Sequence, residues 1–443
     1  MSFAFSDSIV ALSSGRLPSG IAIVRISGPQ TRFAIETIAG GCPEPRIAAY
    51  RSFRDPLGKK IDSGLLLFFP GPNSFTGEDS AEFHLHGGKA VVAAVLDVLV
   101  GLEGVRHAEA GEFTRRAFLN GKVDLLEAEA LADLVTAETE AQRRLALLNS
   151  EGVQSELYHE WRRRLIRARA LIEAELDFAD ESDVPGSVAE TVWRDVAELS
   201  VAVKAHIDGY HRAEMIRDGF DVVIVGAPNA GKSSLLNALA RREAAIVSDE
   251  AGTTRDLVEI VLVLAGVKVL VTDTAGIRAG AGKVEAIGIE RAMARAAKAD
   301  LLLYLVDASA PVLLDTALPP VEIWRIGTKI DLLDKPLSRS GQVDAAVSAA
   351  SGSGIDELLS RIGEMATRSI GSGGDILPSR LRHVALLRRT LSCLESSLLP
   401  DDRGLELRAD DLRQAGDSLG RISGAVDVED LLDVIFSEFC IGK

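Results

Sequence analysis

Residues 226–233 read GAPNAGKS, between the apolar run VVIV and the apolar-periodic stretch SLLNALA. A strand that turns through glycines into a helix is the setting in which this spacing cradles phosphate. Gly226 and Gly231 let the backbone curl so that its N–H groups face an anion, with the positive end of the helix beneath it. Asn229, Ala230 and Ser234 complete the candidate loop. Lys232 is the candidate catalytic cation for the β- and γ-phosphates, and the Ser233 hydroxyl can ligate magnesium. The bland reading is a glycine-rich turn that happens to contain Lys-Ser, and it is the companion motifs that weigh against it.

Four such companions follow. Ser248, Asp249, Glu250, Ala251, Gly252, Thr253 and Thr254 lie in a segment whose threonines can meet a γ-phosphate and magnesium only while a triphosphate is bound, with Thr254 the candidate ligand. Asp273, Thr274, Ala275 and Gly276 end the run VKVLVT, placing Asp273 near the magnesium shell and the Gly276 N–H near the γ-phosphate. Thr328, Lys329, Ile330 and Asp331 follow another apolar run, and the Asp331 carboxylate can accept both guanine N–H groups, which adenine lacks. Thr328 stands where such sites normally carry Asn, so the strut to the base is weakened or replaced. Ser348, Ala349 and Ala350 would close over the base, a weak signal alone because Ser-Ala is common. Together these residues predict a site that binds GTP and cleaves its γ-phosphate.

The elements that must position this site are legible as four stretches. Residues 1–118 mix short apolar runs (21–26, 65–69, 81–85) with Gly and Pro turns, which predicts an α+β domain. Residues 119–217 turn helical, with Trp161, Leu165, Ala168, Ile172 and Leu176 on one face. Residues 218–372 alternate apolar strands (222–225, 267–271, 301–306, 323–326) with helical stretches, as parallel βαβ units do. Residues 373–443 return to helix, with a stripe of Val384, Leu387, Leu391, Leu394 and Leu398. The GSGG run at 371–374 reads as a flexible linker, so the α/β domain is inserted into an all-α domain built from two chain segments.

Composition bounds the rest. The 443 residues, 47% hydrophobic and 26% charged, have room for about three domains and are too apolar for a disordered chain. No apolar run nears the roughly 18 residues of a membrane span, and the longest, 91–100, is interrupted by Asp97 and reads as a core helix. The start, MSFAFSDSIV, lacks the basic and apolar regions of a secretion signal. Cys42, Cys393 and Cys440 are too scattered for a disulfide framework or a zinc site, which fits a reducing cytoplasm. The net charge of -16 argues against indiscriminate nucleic-acid binding. Arg162, Arg163, Arg164, Arg167 and Arg169 form the densest basic cluster, readable as an RNA contact or, more simply, as a solvated helix face paired with Glu173 and Glu175. His84 and His86 alternate beside Glu82, a metal pair or two histidines on one strand face.

GIAIVRISGP, FPGPNSFTGED, GEFTRRAFLNGKVDL and EAEALADL at the front, the GTPase motifs, and IFSEFCIGK at the end resemble the TrmE-type tRNA-modification GTPases nearly end to end. That resemblance implies an N-terminal dimerisation domain binding a one-carbon tetrahydrofolate (the 5-formyl or 5,10-methylene form), with Arg25, Glu82, Lys122 and Lys443 at the matching positions. It marks Cys440 as a possible functional cysteine, although no basic partner is visible to lower its pKa. Ile277 stands where small GTPases usually place a water-orienting glutamine. The resemblance supplies a substitute: a potassium ion held by Asn229 and by Ser248, Glu250 and Thr253, with Glu285 orienting water through a second water. Plainer roles exist, Asn229 capping the loop and Glu285 decorating a helix. The implied function is modification of the wobble uridine of certain tRNAs by a homodimer working with the flavoprotein MnmG (GidA), which carries FAD, in a heterotetramer. The alternative is a regulatory or ribosome-assembly GTPase without folate chemistry, which would have no use for FPGPNSFTGED and FCIGK.

Overall fold

The computed structural model describes residues 5–177, 188–242, 258–273, 293–312, 318–333, 343–371, 373–399, 404–426, 429–437 and 439–442. Its contacts divide the chain into two compact units, one comprising Met1–Ala132, Asn149–Ser200 and Arg389–Lys443, the other Asp133–Leu148 and Val201–Arg388.

The first unit begins with a six-stranded sheet in the order β3-β4-β5-β2-β1-β6. The strands are β1 Ser8–Leu12, β2 Ser19–Ser27, β3 Ala49–Arg54, β4 Lys60–Phe69, β5 Ser80–Gly87 and β6 Val105–His107. All neighbours are antiparallel except β1 and β6. Period-two alternation sets the faces: Ala22, Val24 and Ile26 are fully buried, while Ile21, Ile23 and Arg25 lie on the other side. On the buried face pack α1 Thr31–Ala39 and α2 Lys89–Val100, through Ala34, Ile35, Val92, Val95 and Leu99. The 91–100 run is thus a core helix, as its length implied.

Next come α3 Glu112–Leu119 and α4 Leu125–Thr136, then α5 Glu140–Ser150, α6 Val153–Asp177, α7 Val188–Asp208 and α8 Tyr210–Arg217. After the α/β part follow α11 Leu381–Leu398, α12 Gly404–Ser423 and α13 Glu429–Ser437. Four of the five α6 stripe positions are buried, Trp161, Leu165, Ala168 and Ile172 at 5% exposure or less, while Leu176 in the last turn is half-buried. It packs on α12, where Gly416 brings the backbone close to Leu165. On α11 the apolar stripe is accompanied by fully buried His383, Thr390 and Ser397, seven residues apart, which periodicity of apolar residues does not reveal.

A buried ion network fastens α3 to the sheet. Arg116, 1% exposed, donates to the Asp7 carboxylate at 2.8 Å and to Glu112 at 3.1 Å, and pairs with Glu78 at 3.3 Å. Burial raises the Glu78 pKa despite Arg116, whereas for Asp7 and Glu112 the arginine hydrogen bonds outweigh burial and lower it.

The second unit holds a sheet in the order β12-β11-β10-β7-β9-β8. Its strands are β7 Phe220–Gly226, β8 Val258–Leu264, β9 Val267–Asp273, β10 Leu301–Asp307, β11 Ile323–Thr328 and β12 Ala345–Ala346. Neighbours are parallel except the β8–β9 hairpin. Central β7 is apolar on both faces because both are covered: Val222 and Ile224 join the core with α9 Lys232–Arg242 and α10 Ile355–Ile370, and Val223 and Val225 pack with Ala296, Leu302 and Tyr304. The chain therefore combines an α+β N-terminal part, helices from two chain segments and an inserted α/β nucleotide-binding fold. Among the described residues no helix is long and apolar enough to cross a membrane.

Candidate nucleotide site

In an open parallel sheet the ligand crevice lies at the carboxyl ends of the strands, where the order reverses. Here β7 has β9 on one side and β10 on the other, so that crevice opens above Gly226. The loop leaving β7 has the backbone its glycines allow. Gly226 (φ 159°) lies so near β10 that a Cβ would meet the Leu305 carbonyl oxygen at 2.7 Å. Asn229 and Gly231 take positive φ, 62° and 91°, and α9 starts with Leu235 N–H donating to the Gly231 carbonyl at 2.8 Å.

The polar side chains converge on this loop. Lys232 Nζ donates to the carbonyls of Gly226 (2.9 Å) and Ala227 (3.0 Å), the carbonyl cradle of the loop itself. Burial lowers its pKa, with Asp273 acting against the shift. The Ser233 hydroxyl donates to Asp273 Oδ2 at 2.7 Å, and Asp273 is 1% exposed. A hydroxyl and a carboxylate at this separation are the hard oxygen donors that magnesium prefers, so the pair fits the ion.

Base-side residues cluster separately. Thr328, in place of the expected Asn, is buried and donates from Oγ1 to the Ala230 carbonyl at 2.7 Å, tying this loop to the phosphate loop. Lys329 sits at φ 57° and its ammonium meets Asp307 Oδ2 at 2.6 Å. Burial pushes the Asp307 pKa up, but hydrogen bonds from Lys329 and Ser309 prevail and hold it at about 2. Ser348 Oγ donates to Asp331 Oδ1, fixing the carboxylate. A cavity of about 680 Å³ is bordered by Gly231, Ser234, Lys329, Asp331, Ala349 and Ala350, so the structure brings these sequence-predicted residues around one space. Asp307 was missed by sequence reading, although an acidic residue ending the apolar run LLLYLV was its signal.

Ser248, Asp249, Glu250, Ala251, Gly252, Thr253, Thr254, Thr274, Ala275, Gly276, Glu285 and Lys443 lie outside the described residues. In the N-terminal part, Arg25 and Glu82 are register partners on β2 and β5 and form an ion pair at 2.8 Å. The Arg25 guanidinium also lies over the rings of Phe75 (5.9 Å) and Phe113 (5.7 Å). Lys122 is exposed just beyond α3. Cys440 is exposed on a terminal stretch fastened beside β1, where Ile441 bridges Ala110 and Ser13 Oγ donates to the Gly442 carbonyl at 2.9 Å. His84 faces Glu82 and His86 faces Asp62, so the two histidines have separate partners. In the basic cluster, Arg163 pairs with Glu156 and Glu160, Arg164 with Asp195 and Arg169 with Glu173.

Comparison with known proteins sets this geometry in a family. The model described as "GTP-binding protein TrmE N-terminus" matches residues 8–122, and "MnmE helical domain" matches 125–440. The "tRNA modification GTPase MnmE" of Mesorhizobium japonicum is 64% identical over 439 residues, 99% of each chain. The chain belongs to the MnmE family. A second MnmE, from Brucella anthropi, is 59% identical over 99% of this chain and 98% of its own. Among solved structures, the G domain of the T. maritima FeoB iron transporter is 24% identical over 33% of this chain and 98% of its own, with a TM-score of 0.25. MnmE relatives thus match the chain throughout, across the nucleotide site and both flanking parts.

Proposed function

We infer that this chain is a potassium-activated GTPase that, as a homodimer with the flavoprotein MnmG (GidA, carrying FAD), modifies certain tRNAs in the cytoplasm. It adds a carboxymethylaminomethyl or aminomethyl group to carbon 5 of the wobble uridine, using a one-carbon tetrahydrofolate. The observation that carries the GTPase reading is the joining of the phosphate loop to a base cavity through Thr328, with Ser233 and Asp273 paired beneath it.

Lys232, now on loop carbonyls, can exchange those acceptors for β- and γ-phosphate oxygens. Asp331, oriented by Ser348, accepts the guanine N–H groups. Ser233, with Thr254 from the 248–254 segment, would hold magnesium, which neutralises charge on the β- and γ-phosphates. A monovalent cation at Asn229, whose side chain is exposed on the loop, would stabilise charge built up in transfer. The carbonyls of Ser248, Glu250 and Thr253 complete that set. Glu285 orients the attacking water through a second water, in place of the glutamine whose position Ile277 takes. Arg25 and Glu82, with Lys122 and Lys443, are the folate contacts, the carboxylate suiting pterin amino groups and the cations the glutamate tail.

The test is steady-state GTP hydrolysis in potassium chloride against sodium chloride at equal ionic strength. A potassium-specific rise is expected; equal slow rates in both salts refute cation activation. Glu285→Ala is expected to nearly abolish turnover and leave GTP affinity within about a few-fold, as loss of a group acting in the transition state does. The tRNA-modifying reading is checked by thermal protection with a folate analogue, which a GTPase lacking a folate site would not show.

A further inference from the structure

The β8–β9 hairpin joins the two sequence segments that carry the nucleotide-sensing candidates: 248–254 precedes Val258, and 274–276 follows Asp273. Its turn, Ala265-Gly266, has φ of 50° and 79°, the left-handed pair that closes a two-residue hairpin. The tip of this hairpin is fastened to α5 and the turn before it. Ala141 N–H donates to the Gly266 carbonyl at 3.2 Å, and Lys268 Nζ donates to Glu138 Oε2 at 2.8 Å. The approach is close, since a Cβ on Gly266 would lie 3.7 Å from that of Glu140. Further along α5, Leu145 is buried in the core beneath the sheet, and Gln142 Nε2 donates to the Arg217 carbonyl at 2.8 Å, just ahead of β7.

Space lies on both sides of this helix. A cavity of about 280 Å³ borders Glu140, Arg144, Arg212 and Gly266, and one of about 290 Å³ borders Glu138, Gln142, Arg217 and Lys268. Both are clefts open to solvent, so these flanks of the helix lack packed neighbours, and sparse packing is what local motion requires. The grouping of contacts adds a second argument. Asp133–Leu148 belongs with the nucleotide-binding unit, whereas the chain on either side of it belongs with the other. Helices α4 and α5 run unbroken through those two boundaries.

We propose that residues 133–148 are the output lever of the nucleotide site. Movement of the β8–β9 hairpin with nucleotide state passes to α5 through the Gly266–Ala141 hydrogen bond and the Lys268–Glu138 ion pair, and leaves along the continuous helices α4 and α5. The proposal rests on the GTPase reading above. It gives the coupling a physical carrier, an element that nucleotide can bias through its differential contacts in two states.

The experiment is hydrogen–deuterium exchange of the full-length protein with GDP and with a non-hydrolysable GTP analogue, magnesium and potassium present in both. Amides of α5 are expected to exchange differently in the two states of the unsubstituted protein. In Lys268→Glu that difference is lost while α9 keeps its own, and Lys268→Glu combined with Glu138→Lys restores it. An α5 indifferent to nucleotide beside a responsive α9, or Lys268→Glu with the full difference retained, overturns the lever. Indifference of α9 as well overturns the GTPase reading and the lever with it. Should Lys268→Glu fail to melt cooperatively, Glu138→Gln removes the charge alone and is judged by the same two outcomes.

Discussion

His206, on α7, shows how one buried side chain sets a pH response. Burial first, and the charge on neighbouring His383 second, hold its pKa at about 4, with a hydrogen bond to the Ile376 backbone opposing. The folded value lies below the ordinary histidine value of 6.5, so the unfolded chain takes up the proton first. Its contribution is therefore fully present above pH 6.5 and is lost as the pH falls towards about 4, with a ceiling of about 3 kcal/mol. Asp221 acts in the opposite sense: burial, reinforced by Asp300 and Glu259 and opposed by Arg295, raises its pKa to about 6. Its contribution falls as pH rises from 3.8 to about 6. His206→Leu is expected to lessen the loss of denaturant midpoint between about pH 7.5 and pH 5, and Asp221→Asn to steepen it. At this scale the sequence-predicted Gly231, Ser234, Lys329, Asp331, Ala349 and Ala350 border one cavity. Sequence could not show that Ser348 fixes Asp331 or that Thr328 reaches Ala230, because one hydroxyl has many acceptors within reach of some fold.

Elements are where periodicity served best. The α6 stripe and the alternating strands were legible because each is a property of a single element's geometry. The terminal helix α13 falls in the stretch that reads as helical, but its partner was not legible. It packs on α3 through Phe436 against Phe118, and Arg115 pairs with Asp433 at 2.9 Å. The contact depends on Gly111, at φ 65°, where a Cβ would meet the Phe436 carbonyl oxygen at 2.7 Å and Phe439 Cβ at 3.0 Å. Gly111→Ala should cost about 1–3 kcal/mol through overpacking and free the terminal stretch. Faster proteolytic cleavage near residues 437–442, with the rest of the chain intact, is the expected readout; an unchanged cleavage rate would show that α13 docks without this close approach.

For the whole molecule, the core beneath the α/β sheet draws on residues beyond the alternating strand pattern. Leu145, Met215, Ile216 and Leu377 are buried in the same cluster as Phe220, Leu264 and Val267. A fragment of residues 218–372 leaves that face open, whereas 209–378 recovers Met215, Ile216 and Leu377. The longer fragment is expected to be the more stable by several kcal/mol, since each large side chain is worth about 1.5–3 kcal/mol when buried. Chemical denaturation of both fragments decides it, and equal midpoints would mean that these side chains add nothing to the isolated fold.

Sequence by itself determined the phosphate loop, the strand and helix periodicities, the order of fold types and the family resemblance, because each is written in neighbouring residues. Tertiary structure decided which polar groups meet. Thr328 and Ala230 are 98 residues apart, and Lys268 and Glu138 are 130 apart. It also decided that three arginines of the basic cluster are paired with acids and that residues 133–148 make their contacts with the nucleotide-binding unit. Local patterns follow from the backbone's small menu of conformations, but distant partners are fixed only when packing brings separate elements together.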